Sequence, residues 1–326
     1  MSFSRVLVPL DGSRVAENAL SHAQRLVPAA KGEICLLYVV PSRNREGDHH
    51  MDPLDWRLQQ ARAERYLGEI VERLTAEGLQ ATAFVDEGDP AGQILEFAQK
   101  HAVDLIVFSA YGHGDASRFR FGGTVQKALR GMQTSIMIVR PNHHPPEPAT
   151  MTHGYRRVLV PLDGSGRAEW AACRAVSLLR ETEYGELILL QVVTLPIELS
   201  ALRMTGEMAT LQQRLLEEQL RAGQAYLDAT CHRMNQGVQV SSRLVQARSV
   251  AKAIVNVAET EDVDLVTLSA HGASDESIWE LGSIADAVAS HCDRPVLILQ
   301  DLPHARPQAI HDDQPCRQLT GLYRDG

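Results

Sequence analysis

Short apolar runs alternate with amphipathic stretches along the chain. In the first half the apolar runs occupy residues 6–10, 34–40, 81–85, 105–108 and 136–139. Runs that are apolar at nearly every position are typical of parallel strands that helices cover on both faces. Between them, residues 16–27, 54–74 and 90–98 carry apolar side chains at every third or fourth position, which predicts helices. The alternation predicts an α/β fold with a doubly wound parallel sheet.

The same pattern occurs twice. The sequence RVLVPLDGS at residues 5–13 recurs unchanged at 157–165, an offset of 152, whereas DLIVFSAYG at 104–112 matches DLVTLSAHG at 264–272, an offset of 160. The second half predicts strands at 158–162, 187–193, 239–245, 265–268 and 296–299, and helices at 168–180, 208–232, 250–260 and 283–291. We place the eight additional residues of the second repeat at 196–210.

The duplication sets the predicted domain boundaries. A first α/β domain spans residues 1–141, and a second spans 155–302. Between them lies a linker at 142–154 that is rich in proline and histidine, and a polar tail follows at 303–326.

Composition narrows the class of protein. The chain of 326 residues carries a net charge of −9, which argues against a nucleic-acid partner. No apolar run approaches the ~18–20 residues of a membrane helix, and the N-terminus has no signal-peptide pattern. The five cysteines are scattered and form no CxxC pair, as expected of reduced thiols. We therefore expect a cytoplasmic protein without a membrane partner.

Each repeat contains a glycine loop between a strand and a helix. In the first repeat the loop is framed by Gly112 and by Gly122-Gly123-Thr124, and in the second by Gly272 and by Gly282-Ser283. Backbone N–H groups of such a loop can cradle a phosphate. Ligands of doubly wound sheets bind at the carboxyl ends of strands where the strand order reverses, so Asp11 and Asp163 should face these loops. The alternative is that the glycines merely open helices and the aspartates cap turns.

The VLVPLDGS start, combined with a G-x2-G-x9-G-[ST] loop, resembles the universal stress protein family, and the duplication resembles its tandem members. The resemblance implies two five-stranded, Rossmann-like domains of the adenine nucleotide alpha hydrolase type, each binding ATP, ADP or AMP, with or without Mg²⁺. It implies that adenosine is held by Asp11 with Val39, and by Asp163 with Val192. It also implies that strands 136–139 and 296–299 pair across a pseudo-twofold axis as an intramolecular dimer. A further homodimer stays open.

The loops depart from the family pattern. Its first glycine is Ser109 in the first repeat and Ser269 in the second. The [ST] position is Gly123 in the first repeat, with Thr124 one residue late, whereas the second keeps Gly282-Ser283. Which repeat binds a nucleotide is therefore open. His271 aligns with Tyr111, and we interpret it as a loop-filling residue.

Three functions fit these features. The first is a stress-response binding module that holds an adenine nucleotide as a regulatory ligand, without catalytic residues or a protein metal site. The second is a slow Mg²⁺-dependent ATPase, for which the sequence offers only Asp11 or Asp163 as base or metal ligand. The third is a scaffold with degenerate nucleotide sites. The P-loop motif GxxxxGK[ST] does not occur.

Overall fold

The computed structural model of the chain contains two compact units. The first comprises Met1–Gly154, Trp279–Leu281 and Ala289–Ile298, and the second comprises Tyr155–Ile278, Gly282–Val288 and Leu299–Gly326. The residues that the structure describes are 3–27, 32–42, 52–112, 121–131, 133–140, 154–180, 182, 184–194, 206–235, 237–272 and 281–300. Most of the predicted linker and the whole of the predicted tail lie outside these residues.

The first repeat forms the predicted α/β succession. Its elements in chain order are β1 (Arg5–Leu10), α1 (Asn18–Leu26), β2 (Glu33–Val40), α2 (Pro53–Ala76), β3 (Gln80–Glu87), α3 (Pro90–Lys100), β4 (Leu105–Ser109), α4 (Gly123–Leu129) and β5 (Ser135–Val139). The strands lie in the order β3-β2-β1-β4-β5, and every pair is parallel. This confirms the doubly wound, five-stranded parallel sheet.

The second repeat follows the same plan. Its elements are β6 (Arg157–Leu162), α5 (Gly166–Leu179), β7 (Glu186–Val193), α6 (Gly206–Met234), β8 (Gln239–Gln246), α7 (Val250–Thr260), β9 (Leu265–Ser269), α8 (Ser283–His291) and β10 (Val296–Leu299). Strands β8-β7-β6-β9 are parallel neighbours in that order. Strand β10 pairs antiparallel with β5, Leu297 opposite Met137, which is why residues 289–298 group with the first unit.

Burial follows the strand order. All five residues of β4 and of β5 are buried, and each of these strands has a neighbour on both sides: β1 and β5 flank β4, and β4 and β10 flank β5. In contrast, β3 and β8 contain no buried residue. The apolar run at 81–85 suggested burial on both faces, but β3 lies at the end of its sheet, where side chains stay partly accessible.

The additional length of the second repeat lies mainly between β7 and the middle of α6. The offset between equivalent residues is 153 at the starts of β2 and β7, and it is 160 between Tyr66 and Tyr226. These tyrosines are equivalent because each interacts with a glutamate of the preceding helix region, Glu17 or Glu169. Part of the segment predicted to hold the insertion, 196–205, lies outside the described residues.

Candidate functional site

The strand order reverses at β1, which pairs with β2 on one side and with β4 on the other. Loops at the carboxyl ends of β1 and β4 therefore face each other across a crevice, the usual ligand position in such sheets. Asp11 follows β1 directly, and Gly112 lies three residues beyond β4. The sequence predicted this juxtaposition of Asp11 with the glycine loop.

The Asp11 carboxylate lies against the backbone of Gly112. A Cβ atom added at Gly112 would be 2.3 Å from Asp11 Oδ2, so no other residue fits there without displacing the carboxylate. The other oxygen, Oδ1, accepts a hydrogen bond of 3.0 Å from the Ser13 backbone N–H. Gly112 is therefore required for close approach. The left-handed conformation occurs instead at Gly12, whose φ is +80°.

A cavity of about 200 Å³ opens at this point. Its wall includes all seven residues predicted for the first repeat: Asp11, Val39, Ser109, Gly112, Gly122, Gly123 and Thr124. Apolar side chains, among them Leu37, Ile94 and Phe108, complete the lining. A few polar groups converging on an apolar wall are typical of small-molecule sites.

The far wall of the cavity is formed by the ends of the glycine loop. The Gly122 N–H donates to the Ala110 carbonyl at 2.9 Å, which closes the base of the loop. Gly122 is the N-cap of α4, so Gly123 and Thr124 are its first two residues. Residues 113–120 between these ends lie outside the described chain.

Ser109 supplies a polar group without a partner. The residue is 7% exposed, and its Oγ makes no hydrogen bond to any described residue. Buried hydroxyls are normally hydrogen-bonded, and an exception at a cavity wall indicates a place for a ligand or water. The departure from glycine at this position therefore adds a donor or acceptor to the wall.

Strand β2 extends past β1 at the cavity. The β1–β2 ladder ends at Leu10 opposite Tyr38, whereas Val39 and Val40 continue to pair with β3. Tyr38 donates from its hydroxyl to the Asp11 carbonyl at 3.4 Å. Burial, and secondarily the Asp11 charge, raises the pKa of Tyr38 above its ordinary value. The phenol therefore stays protonated at neutral pH and can keep that hydrogen bond.

The sequence did not identify Tyr111 and Arg140 as site residues. Tyr111 lines the cavity, and its hydroxyl accepts a hydrogen bond from Arg140 Nη1. The repeats do not share these residues, since the equivalent positions are His271 and Gln300, so comparing the repeats gives no sign of them. An aromatic residue directly before each loop glycine, Tyr111 and Phe121, was the available signal.

The second repeat brings Asp163 and Gly272 together as the first brings Asp11 and Gly112. A Cβ at Gly272 would be 2.6 Å from Asp163 Oδ2, and Asp163 Oδ1 accepts from the Ser165 N–H at 2.9 Å. The Gly282 N–H donates to the Ala270 carbonyl at 2.9 Å, as at the first loop. Ser283 begins α8, and Val192 lies in β7, which continues past β6 as β2 continues past β1.

The two sites differ at the serine after the fourth strand. Ser269 Oγ donates to the His271 carbonyl at 2.8 Å, whereas Ser109 Oγ has no such bond. His271 is 2% exposed, in agreement with its interpretation as a loop-filling residue. The side chain after Ser283 is Ile284, where the first repeat has Thr124. Each helix start keeps one hydroxyl residue, Thr124 or Ser283, so the sites differ chiefly in the serine hydroxyl after the fourth strand, which is engaged in the second repeat.

The comparison with known families matches both repeats. A model of the universal stress protein family matches residues 2–140 and again residues 154–300. The chain belongs to the universal stress protein family. The matched ranges contain every predicted site residue of both repeats, and the double match makes this a tandem member.

Individual relatives agree with this assignment. The chain is 24% identical over 141 residues to universal stress protein MJ0531 of Methanocaldococcus jannaschii, covering 42% of this chain and 82% of that protein. It is 26% identical over 148 residues to universal stress protein YxiE of Bacillus subtilis, covering 42% of this chain and 99% of the relative.

A solved structure has the same fold over nearly the full length. A universal stress protein from Archaeoglobus fulgidus superimposes with a TM-score of 0.60 at 20% identity, covering 91% of this chain and 98% of its own. At this identity the likeness establishes the fold. In the described part of this universal stress protein, no helix has the length and apolar character needed to cross a bilayer.

Proposed function

We propose that this tandem universal stress protein binds an adenine nucleotide, ATP, ADP or AMP, as a regulatory ligand in the cavity at β1 and β4. The observation that carries the proposal is the convergence of all seven predicted first-repeat residues on one cavity. Nothing in the proposal requires turnover, and it assigns no catalytic residue.

The groups around the cavity suit the parts of such a ligand. The Asp11 carboxylate can accept hydrogen bonds from ribose hydroxyls, and the backbone of Val39 borders the cavity where an adenine edge can meet it. The backbone N–H groups of Gly123 and Thr124 and the Ser109 hydroxyl lie on the wall suited to phosphate. The apolar lining suits the faces of the base.

The two repeats are proposed to differ in affinity. Gly112 and Gly272 both let an aspartate carboxylate lie against the loop backbone. A Cβ added at either glycine would be only 2.3 or 2.6 Å from the Oδ2 atom of that aspartate. However, the second-repeat serine already donates to a backbone carbonyl. We therefore expect the first repeat to bind more tightly, although its loop has the less regular spacing.

Magnesium would reach the site on the nucleotide phosphates. Across the described residues, no group of three or more His, Cys, Asp or Glu side chains is placed to hold a metal ion. Mg²⁺ should therefore increase ATP affinity modestly and leave AMP affinity unchanged.

Equilibrium dialysis with labelled ATP, ADP, AMP and GTP tests the proposal. We expect saturable binding of the adenine nucleotides, weaker binding of GTP, and loss of the tighter site in Asp11→Ala. Incubation with ATP and Mg²⁺ for several hours, followed by chromatography, separates the alternatives. Formation of several ADP molecules per protein chain would favour the ATPase. No binding of any nucleotide would favour the scaffold.

A further inference from the structure

A buried arginine lies behind both ends of the loop that follows β4. Arg140 comes directly after β5 and is 6% exposed. Its guanidinium carbon is 5.5 Å from the centre of the Tyr111 ring and 6.0 Å from the centre of the Phe121 ring. These two rings belong to the residues directly before Gly112 and Gly122. One cation therefore contacts both ends of the predicted phosphate loop.

Hydrogen bonds fix the guanidinium in this place. Arg140 Nη1 donates to the Tyr111 hydroxyl, and Nη2 donates to the Ala289 carbonyl at 3.1 Å and to the Ser290 carbonyl. The two carbonyls belong to the last turn of α8, where unsatisfied acceptors and the negative end of the helix dipole favour a cation. The planar fork of arginine can make these contacts at once, which a lysine ammonium cannot.

The second repeat lacks this arrangement. The residues equivalent to Arg140 and Tyr111 are Gln300 and His271. Glutamine carries no charge, so the corresponding position behind the second loop does not contribute a cation. The chain thus contains both forms of the site, one with the buried arginine and one without it.

We infer that Arg140 is a positioning residue for nucleotide phosphate at the first-repeat site. It holds Tyr111 and Phe121 so that Gly112 and Gly122 keep their spacing, and its positive charge favours an anion at the adjacent cavity wall. The inference rests on the proposed nucleotide function. It adds that the first repeat discriminates by phosphate content, preferring ATP and ADP to adenosine more strongly than the second repeat does.

Calorimetric titration of ATP and of adenosine tests this inference. In an Asp163→Ala background, which isolates the first-repeat site, Arg140→Gln should weaken ATP binding about five- to tenfold, the effect of removing one nearby charge that solvent partly screens. Adenosine binding should change less than about twofold. Arg140→Lys should recover part of the ATP affinity because it restores the charge without the fork.

Two controls isolate the effect. Arg130→Gln makes the same change of charge at an exposed position of the same unit and should leave both affinities unchanged. In an Asp11→Ala background, Arg140→Gln should not alter ATP binding at the second-repeat site. Thermal unfolding identifies any variant that fails to fold, and Arg140→Lys then carries the test.

The outcomes are distinguishable. Equal losses of ATP and adenosine affinity would mean that Arg140 supports only the fold, and would overturn the inference. ATP binding that is insensitive to Arg140→Gln would overturn it as well, while leaving the proposed function intact. Absence of ATP binding by the unsubstituted chain would overturn both.

Discussion

Adding a methyl group at Gly112 should weaken nucleotide binding at the first site while the protein stays folded. In Gly112→Ala the new Cβ would lie 2.3 Å from Asp11 Oδ2 and 3.3 Å from its Cγ, well inside contact distance. The carboxylate is the movable partner, so it should rotate away and break the 3.0 Å bond from the Ser13 N–H. That bond contributes about 1 kcal/mol to folding, and the protein should remain folded.

The loss of ligand affinity should be larger than the loss of stability. A displaced Asp11 can no longer accept from the ribose, which removes charge-assisted hydrogen bonds of about 1.5–3 kcal/mol. This free energy corresponds to an increase in Kd of roughly 10- to 150-fold. Isothermal titration calorimetry with ATP measures the change, and urea unfolding measures the stability.

Gly68→Ala provides the matched control. Gly68 lies within α2, and a Cβ added there meets no atom within 4 Å. The substitution should raise the free energy of unfolding by about 0.5–1 kcal/mol, the helix preference of alanine over glycine, and leave ATP affinity unchanged. The reasoning would be refuted if Gly112→Ala bound ATP at full affinity, because the Asp11 carboxylate would then have no part in holding the ligand.

Three other predictions concern stability. Thr267 is fully buried, and its hydroxyl has no partner among the described residues. Thr267→Val should therefore leave the free energy of unfolding unchanged or raise it by about 1 kcal/mol. A decrease of more than about 1 kcal/mol would show that the hydroxyl makes a hydrogen bond. Asp104 and Asp264 each accept hydrogen bonds from two backbone N–H groups at the start of β1 or β6. Replacing either aspartate by alanine should lower the free energy of unfolding, measured in urea, by about 1–3 kcal/mol. A change near zero would contradict this role. Hydrogen bonds from Arg243, and the charges of the neighbouring arginines, hold the pKa of Glu261 below its ordinary value. The folded pKa lies below the unfolded value of about 4.3, so this stabilisation is present above that pH and is lost as pH falls through the folded pKa. Glu261→Gln should accordingly lower Tm at pH 7, with the difference closing below about pH 4, and a difference independent of pH would refute the charge argument.

Most of the fold was accessible from the sequence because the duplication supplies two readings of each element. The helices predicted at 250–260 and 283–291 and the strand predicted at 296–299 have the observed bounds, and the other strands differ by one or two residues at an end. The exposure of β3 and β8 was not accessible, because it depends on strand order, which hydrophobic pattern alone does not give.

The candidate site was predicted where a topological rule applies. Because ligands bind where the strand order reverses, the order of motifs along the chain was enough to place Asp11 beside Gly112. The role of Arg140 could not be predicted in this way, because its acceptors, the Tyr111 hydroxyl and the Ser290 carbonyl, are 29 and 150 residues away in sequence. Long-range contacts of that kind have no local pattern.

The polar clusters around Glu17 and Glu169 could have been predicted from the sequence. Arg73 and Tyr66 of α2 contact Glu17, and Arg233 contacts Glu169 in the second repeat. The arginines are 160 residues apart and the glutamates 152, the two offsets that the sequence already displays. A search for identical polar residues at both offsets would have found these clusters, which connect α2 and α6 to the turn and helix after the first strand of each repeat.

Native mass spectrometry of the full chain with ATP and Mg²⁺ tests the central claim most directly, since it counts nucleotides per chain. We predict a mass increase of one ATP at low concentration that is absent in Asp11→Ala and retained in Asp163→Ala. No mass increase at any ATP concentration in the unsubstituted protein would contradict the proposed function.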